Sequence, residues 1–180
     1  MATKNNNLSI IKGNSKININ PNERISIVYA EWNSEVTTPL MQGAKEKLIE
    51  YGIAIENIHI HAVPGAFELV SGCKLALDYE IPSAVIAIGC VIQGETKHFD
   101  YICSAVTQGI TTLNTTYDIP CVFGVLTTDN LQQALDRAGG KHGNKGHEAA
   151  ITAVKMIELR NKLEENFNTE FFDEEDFEDD

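Results

Sequence analysis

The stretch AVIAIGCVI at residues 84–92 decides the fold. A continuous apolar run of β-branched character is what a strand needs when both of its faces are covered, as in a parallel sheet. Two further runs, ISIVYA at 25–30 and PCVFGVL at 120–126, read the same way. NIHIHAV at 57–63 alternates instead, which predicts a less buried strand. Between these runs the spacing turns helical. Leu40, Ala44, Leu48 and Tyr51 share one face, with Gly52 as a stop signal. The pattern predicts further helices over 66–79, 99–117 and 146–166, and a short one over 130–138. Strands alternating with helices imply an α/β fold: a parallel sheet, right-handed crossovers and helices on both faces. No internal repeat interrupts this plan.

The chain has 180 residues, of which 43% are apolar, enough for one compact core and too few for two ordinary domains. Its parts are expected to be an N-terminal arm over 1–20, a folded domain over 21–168 and an acidic, disordered tail over 169–180. The net charge is −12, and eight carboxylates lie in the last twelve residues, TEFFDEEDFEDD. No basic surface for nucleic acid or an anionic membrane is seen. The opening residues have no signal-like apolar core, and no window approaches the roughly 18 to 20 apolar residues of a membrane span. A soluble, cytoplasmic protein is expected. Cys73, Cys90, Cys103 and Cys121 sit singly in apolar surroundings, which predicts buried free thiols.

In open α/β sheets, ligands bind beyond the carboxyl ends of the strands, so the loops there hold the candidate chemistry. The richest is GCVIQGETKHFD at 89–100. Its glycine frees the backbone, and amides at a helix start together with a threonine hydroxyl suit an anion such as phosphate. His98 follows, with an imidazole suited to proton transfer near neutrality. An exposed histidine beside a structural helix cap fits the same residues. PGAFE at 64–68 is a second strand-to-helix turn; Glu68 suits either the positive end of the helix or the hydroxyls of a polar substrate. Trp32, the one tryptophan, offers packing or a stacking surface for a flat heteroaromatic ring. RAGGKHGNKG at 137–146 combines cations with four glycines. It lacks the Gly-Lys-Ser/Thr of a nucleotide-binding loop, and a flexible loop of solvated charges accounts for it equally well. His59 and His61 stand two apart in a strand without a recognisable metal spacing, so no metal site is expected.

Taken in order, PGAFE (64–68), GETKHFD (94–100), FGVLTT (123–128) and RAGGKHGNKGHE (137–148) resemble the lumazine synthase family, over roughly residues 20–160. The resemblance implies a flavodoxin-like, three-layer α/β/α sandwich with a four-stranded, mainly parallel sheet. It implies condensation of 5-amino-6-(D-ribitylamino)uracil with 3,4-dihydroxy-2-butanone 4-phosphate, with no metal and no organic cofactor. Trp32 and Phe123 would flank the pyrimidine, and Ala66, Phe67 and Glu68 with Cys90, Val91 and Ile92 would hold the pyrimidine and its ribityl chain. Glu95 and Thr96 would form the phosphate loop and Arg137 would grip the phosphate. His98 matches the proton donor and Lys145 a supporting cation. Family members often carry phenylalanine at the position of Trp32 and arginine at that of Gln93; Gln93 receives no role.

The resemblance further implies a homo-oligomer, a ring of five whose sites lie between neighbours, with Phe123, Arg137 and Lys145 donated across the interface. The compact 139–146 loop matches members that assemble into sixty-subunit shells, and association with riboflavin synthase stays open. Two other readings fit the scaffold, a lumazine-dismutating riboflavin synthase and a non-catalytic flavin-binding carrier. Dismutation would leave the phosphate ligands idle, and a carrier has no need of His98.

Overall fold

A computed structural model describes residues 19–172 of the chain. The first helix of the sequence is preceded by β1 (Ile25–Ala30), and the elements then follow in alternation: α1 (Ser34–Glu50), β2 (Ile58–Val63), α2 (Leu69–Glu80), β3 (Ala84–Ile92), α3 (His98–Thr116) and β4 (Cys121–Thr128). A short α4 (Leu131–Leu135), a small hairpin of β5 (Ala138–Gly140) and β6 (Gly143–Asn144), and the long α5 (Lys145–Phe172) complete the chain. The main sheet has the order β2-β1-β3-β4, and every pairing in it is parallel. The fold is a flavodoxin-like three-layer sandwich, as the strand runs require.

The two faces of β3 explain the layers. Ala84, Ile86, Ile88 and Cys90 belong to one buried cluster, with Leu40, Ala44 and Leu48 of α1 and Ala150, Val154 and Ile157 of α5. Val85 and Ala87 belong to the other, with Leu69, Cys73 and Leu77 of α2 and Val106, Ile110 and Leu113 of α3. Period-two alternation sends successive β3 side chains to opposite layers, so neither face of the strand meets water. β2 lies at one edge of the sheet, where its alternating sequence leaves most of its residues half-buried. β4 lies at the other edge.

Several boundaries differ from the sequence-based expectation. α2 starts at Leu69 rather than at residue 66, because residues 66–68 form a turn whose end is the N-cap, Glu68. α4 stops at Leu135, short of the expected 138, since Ala138 enters the hairpin. α5 runs on past the expected 166 to Phe172, so helix reaches into the segment expected to be a disordered tail. The rest of that tail, and all but the last residues of the N-terminal arm, lie outside the described residues. The segment over 137–146 is not a loose loop: β5 pairs antiparallel with β6, the His142 amide donates to the Asp136 carbonyl over 2.8 Å, and Lys141 pairs with the Asp136 carboxylate at 2.8 Å.

The start of α5 is clasped to α1. Asn144 Oδ1 accepts from the Gly146 amide at 2.7 Å, capping α5, while Asn144 Nδ2 donates to the Pro39 carbonyl at 2.9 Å. A Cβ on Gly146 would come within 1.9 Å of the Leu40 carbonyl oxygen, a rigid helix backbone. Gly146→Ala is therefore expected to destabilise the fold by about 1–3 kcal/mol or more through overpacking. Gly94→Ala, where an added Cβ meets nothing within 4 Å, should leave the melting temperature almost unchanged. Equal melting temperatures for the two variants would refute the clasp.

Candidate active site

Successive strand-to-helix loops converge at the carboxyl ends of β1, β2 and β3. β1 is followed by a helix leading to β2 on one side, while β3 pairs on its other side, so the chain's direction of travel across the sheet reverses between β1 and β3. Loops diverge at such a point and leave a crevice. Asn33 marks it. Its backbone adopts a left-handed φ of 60°, which asparagine tolerates better than most residues, and its Nδ2 donates to the Cys90 carbonyl over 2.9 Å. The turn after β1 is thereby tied to the end of β3.

A cleft of about 650 Å³ opens here, lined by Trp32 and Asn33 after β1, residues 65–68 after β2, Cys90, Val91 and Ile92 at the end of β3, Gly94 and Thr96 in the next loop, and His98, Phe99 and Ile102 of α3. Its volume suits a small organic substrate. Trp32 is 73% exposed and Phe67 56% exposed. Aromatic rings left that open are not core residues; they are surfaces on which a flat ring can stack. Glu68 caps nothing with its side chain, and its carboxylate lies over Gly65, where an added Cβ would approach Oε2 to 3.0 Å. Glu68 therefore stands both at the positive end of α2 and on the wall of the cleft.

On the opposite wall the loop from β3 to α3 is tethered by the Gln93 amide, which donates to the Thr128 carbonyl at 2.8 Å. Thr96 Oγ1 accepts from the His98 amide at 3.4 Å. The hydroxyl, the imidazole and the first turn of a long helix therefore share one end of the cleft, an arrangement suited to an anion beside a proton donor. Glu95 is exposed and does not line the cleft, although its neighbours Gly94 and Thr96 do. Burial pushes the Cys90 thiol up to about 11. It stays protonated at neutral pH and acts as an apolar wall, not a nucleophile.

Ten of the thirteen sequence-predicted residues lie at or beside this cleft. Phe123, Arg137 and Lys145 do not. Phe123 and Lys145 line a separate groove of about 510 Å³ along the free edge of β4. Arg137, just before the hairpin, donates through Nη1 to the Gln133 carbonyl at 2.8 Å, and Lys145 pairs with Glu148. Asn33, Gly65, Gly94, Phe99 and Ile102 line the cleft without having been assigned a site role from sequence. Gly65, Gly94 and Phe99 fall within the strand-end motifs already singled out, and the position of Asn33 between a strand and a helix was a further signal, since asparagine favours left-handed turns.

Comparison with known proteins agrees with this geometry. The profile of the 6,7-dimethyl-8-ribityllumazine synthase family matches residues 22–161. A 6,7-dimethyl-8-ribityllumazine synthase of Parabacteroides distasonis is 52% identical over 157 residues, covering 87% of this chain and 98% of the relative. Proteins of the same name from Porphyromonas gingivalis and Cytophaga hutchinsonii are 57% and 59% identical, covering 76% and 73% of this chain and 84% and 82% of their own lengths. The match spans the whole sheet and every loop of the cleft, and the chain belongs to the 6,7-dimethyl-8-ribityllumazine synthase family.

Proposed function

We propose that the cleft condenses 5-amino-6-(D-ribitylamino)uracil with 3,4-dihydroxy-2-butanone 4-phosphate to 6,7-dimethyl-8-ribityllumazine, releasing phosphate and water. As a member of the family the chain is a transferase of riboflavin biosynthesis. The observation that carries the reading is the division of the cleft into an aromatic and apolar part and an anion-suited end with a histidine.

Trp32 supplies a face for the pyrimidine, and Ala66, Phe67, Val91 and Ile92 an apolar surround for it. Glu68 accepts hydrogen bonds from ribityl hydroxyls. The phosphate binds where the Glu95 backbone, the Thr96 hydroxyl and the start of α3 meet, which directs the attached ketone toward the pyrimidine amine. The amine attacks the ketone, whose oxygen leaves as water to give a Schiff base, phosphate is eliminated, and ring closure with loss of a second water yields the lumazine. His98 passes protons to and from the reacting atoms, while holding the two reactants together lowers the barrier further. No step calls on a metal or an organic cofactor, so the rate is expected to survive EDTA. Activity lost on chelation and restored by a divalent ion would contradict this.

Phe123, Arg137 and Lys145 enter from a neighbouring subunit in this reading. Their distance from the chain's own cleft supports it, as does the position of Phe123 and Lys145 on a free sheet edge. A closed ring lets each β4 edge face the next cleft, and we take the ring to be a pentamer. We take the protein to work in the cytoplasm, where its four free cysteines stay reduced.

His98→Ala should mainly lower kcat, by about 10²- to 10⁴-fold, because a proton relay is partly replaceable by water. Arg137→Ala should mainly raise KM for the ketose phosphate. Steady-state kinetics on both variants check this, and an unchanged KM in Arg137→Ala would remove that residue from the phosphate site.

Mixing the two variants tests the shared site directly. If His98 and Arg137 of one site come from different chains, refolding an equal mixture together should restore about one quarter of the sites, assayed at low ketose phosphate. Activity no higher than the mean of the separate variants would show that both residues serve the same subunit.

A further inference from the structure

A cluster of ligating side chains stands away from the cleft, on the outer edge of the sheet. His59 and His61 are two apart in β2 and therefore share one face of that edge strand. Glu80, the last residue of α2, reaches them from the helical layer above. Its Oε1 lies 3.0 Å from His59 Nδ1 and 2.9 Å from His61 Nε2. All three ligand atoms fall within 4.8 Å of one another.

We propose that His59, His61 and Glu80 form a binding site for a late first-row divalent cation of the zinc class. Ligand atoms about 2.0–2.1 Å from one ion, at angles between octahedral and tetrahedral, are about 2.9–3.4 Å apart, the spacing that Glu80 Oε1 keeps from each imidazole nitrogen. A second observation points the same way. His61 Nε2 is shielded from solvent yet has no hydrogen-bond partner, so its approach to Glu80 Oε1 is close without being aligned as a hydrogen bond. A nitrogen and an oxygen facing a common third point have that relation.

The surroundings hold the carboxylate ready. Ser26, next to His59 in the β1–β2 register and fully buried, donates through Oγ to Glu80 Oε2 at 2.5 Å, which leaves Oε1 toward the imidazoles. Arg24 Nη1 donates to the Glu80 carbonyl at 2.8 Å and fixes the backbone. Such supporting bonds orient metal ligands and tune their affinity. The imidazole side chains are 34% and 43% exposed, so the cluster lies at the surface of the protein although His61 Nε2 itself is shielded. None of the three residues lines the cleft. The ion would pin β2 to the end of α2 without touching the condensation chemistry, and the proposal is independent of that reading.

Calorimetric titration of metal-free, full-length protein with Zn²⁺ at neutral pH should find one equivalent bound per chain. Affinity should fall at least tenfold in His61→Ala and in Glu80→Gln, and about tenfold in Ser26→Ala. Zn²⁺ should raise the melting temperature of the parent protein and not that of His61→Ala or Glu80→Gln, while condensation activity stays at the parent level in both. If His61→Ala misfolds, His61→Gln replaces it. Co²⁺ should give ligand-field bands without an intense thiolate charge-transfer band. The two variants keep every cysteine and every tail carboxylate, so a titration identical to the parent's would overturn the site. So would the absence of binding, or a thiolate band.

Discussion

The constraint on which the structure depends is that β3 must be dry on both faces. Its first seven residues are buried without exception. A strand of that kind needs a helical layer on each side and a parallel neighbour on each edge, which fixes the sandwich and the order β2-β1-β3-β4. Parallel pairing then carries every connection back over the sheet and gathers the loops after the strands at one end. The same pairing leaves two strands with a free edge. The cleft, the β4 groove and the β2 histidines are thus three outcomes of one requirement, located at the end of the sheet and at its two sides.

This geometry also explains the division among the expected site residues. Side chains in the turns after β1, β2 and β3 converge because those strands are adjacent. Phe123 sits within β4, in register with Ala87 in mid-sheet, and so lies well short of the end where the cleft opens. Arg137 and Lys145 flank the hairpin that follows α4, and the Lys145 amide donates to the Arg137 carbonyl at 2.9 Å, which ties the two residues together. In the shared-site reading proposed above, a chain that carries these residues in one sequence yet keeps them apart in space supplies half of two sites.

Much of the fold was legible because apolar periodicity is a direct image of burial. β1 and β3 were bounded to the residue, since polar or turn-forming residues, Arg24 and Glu31 at β1 and Ser83 and Gln93 at β3, adjoin each apolar run. The ends of α2, α4 and α5 were not, because helix ends depend on caps and on tertiary packing that no local pattern encodes. The hairpin over 137–146 was hidden by its glycines, which read as looseness although Gly139 and Gly143 take the positive φ values, 115° and 75°, that a tight hairpin needs. Most of the cleft was legible through strand-end loops and motif resemblance. The third member of the histidine cluster was not, since Glu80 is separated from His61 by the whole of α2 and only the return of that helix over the sheet brings it back.

The clasp between Asn144 and Pro39 joins residues 105 positions apart. On the ribosome α1 leaves the exit tunnel long before its partner helix exists. At about 5–20 residues per second, its apolar face waits roughly 5 to 20 seconds for α5 to be made. Throughout that interval Leu40, Ala44 and Leu48 lack one side of their burial, and the layer that α1 shares with α5 is incomplete. The last helix therefore completes that burial, and the interval before its arrival is when chaperones have a hydrophobic surface to hold.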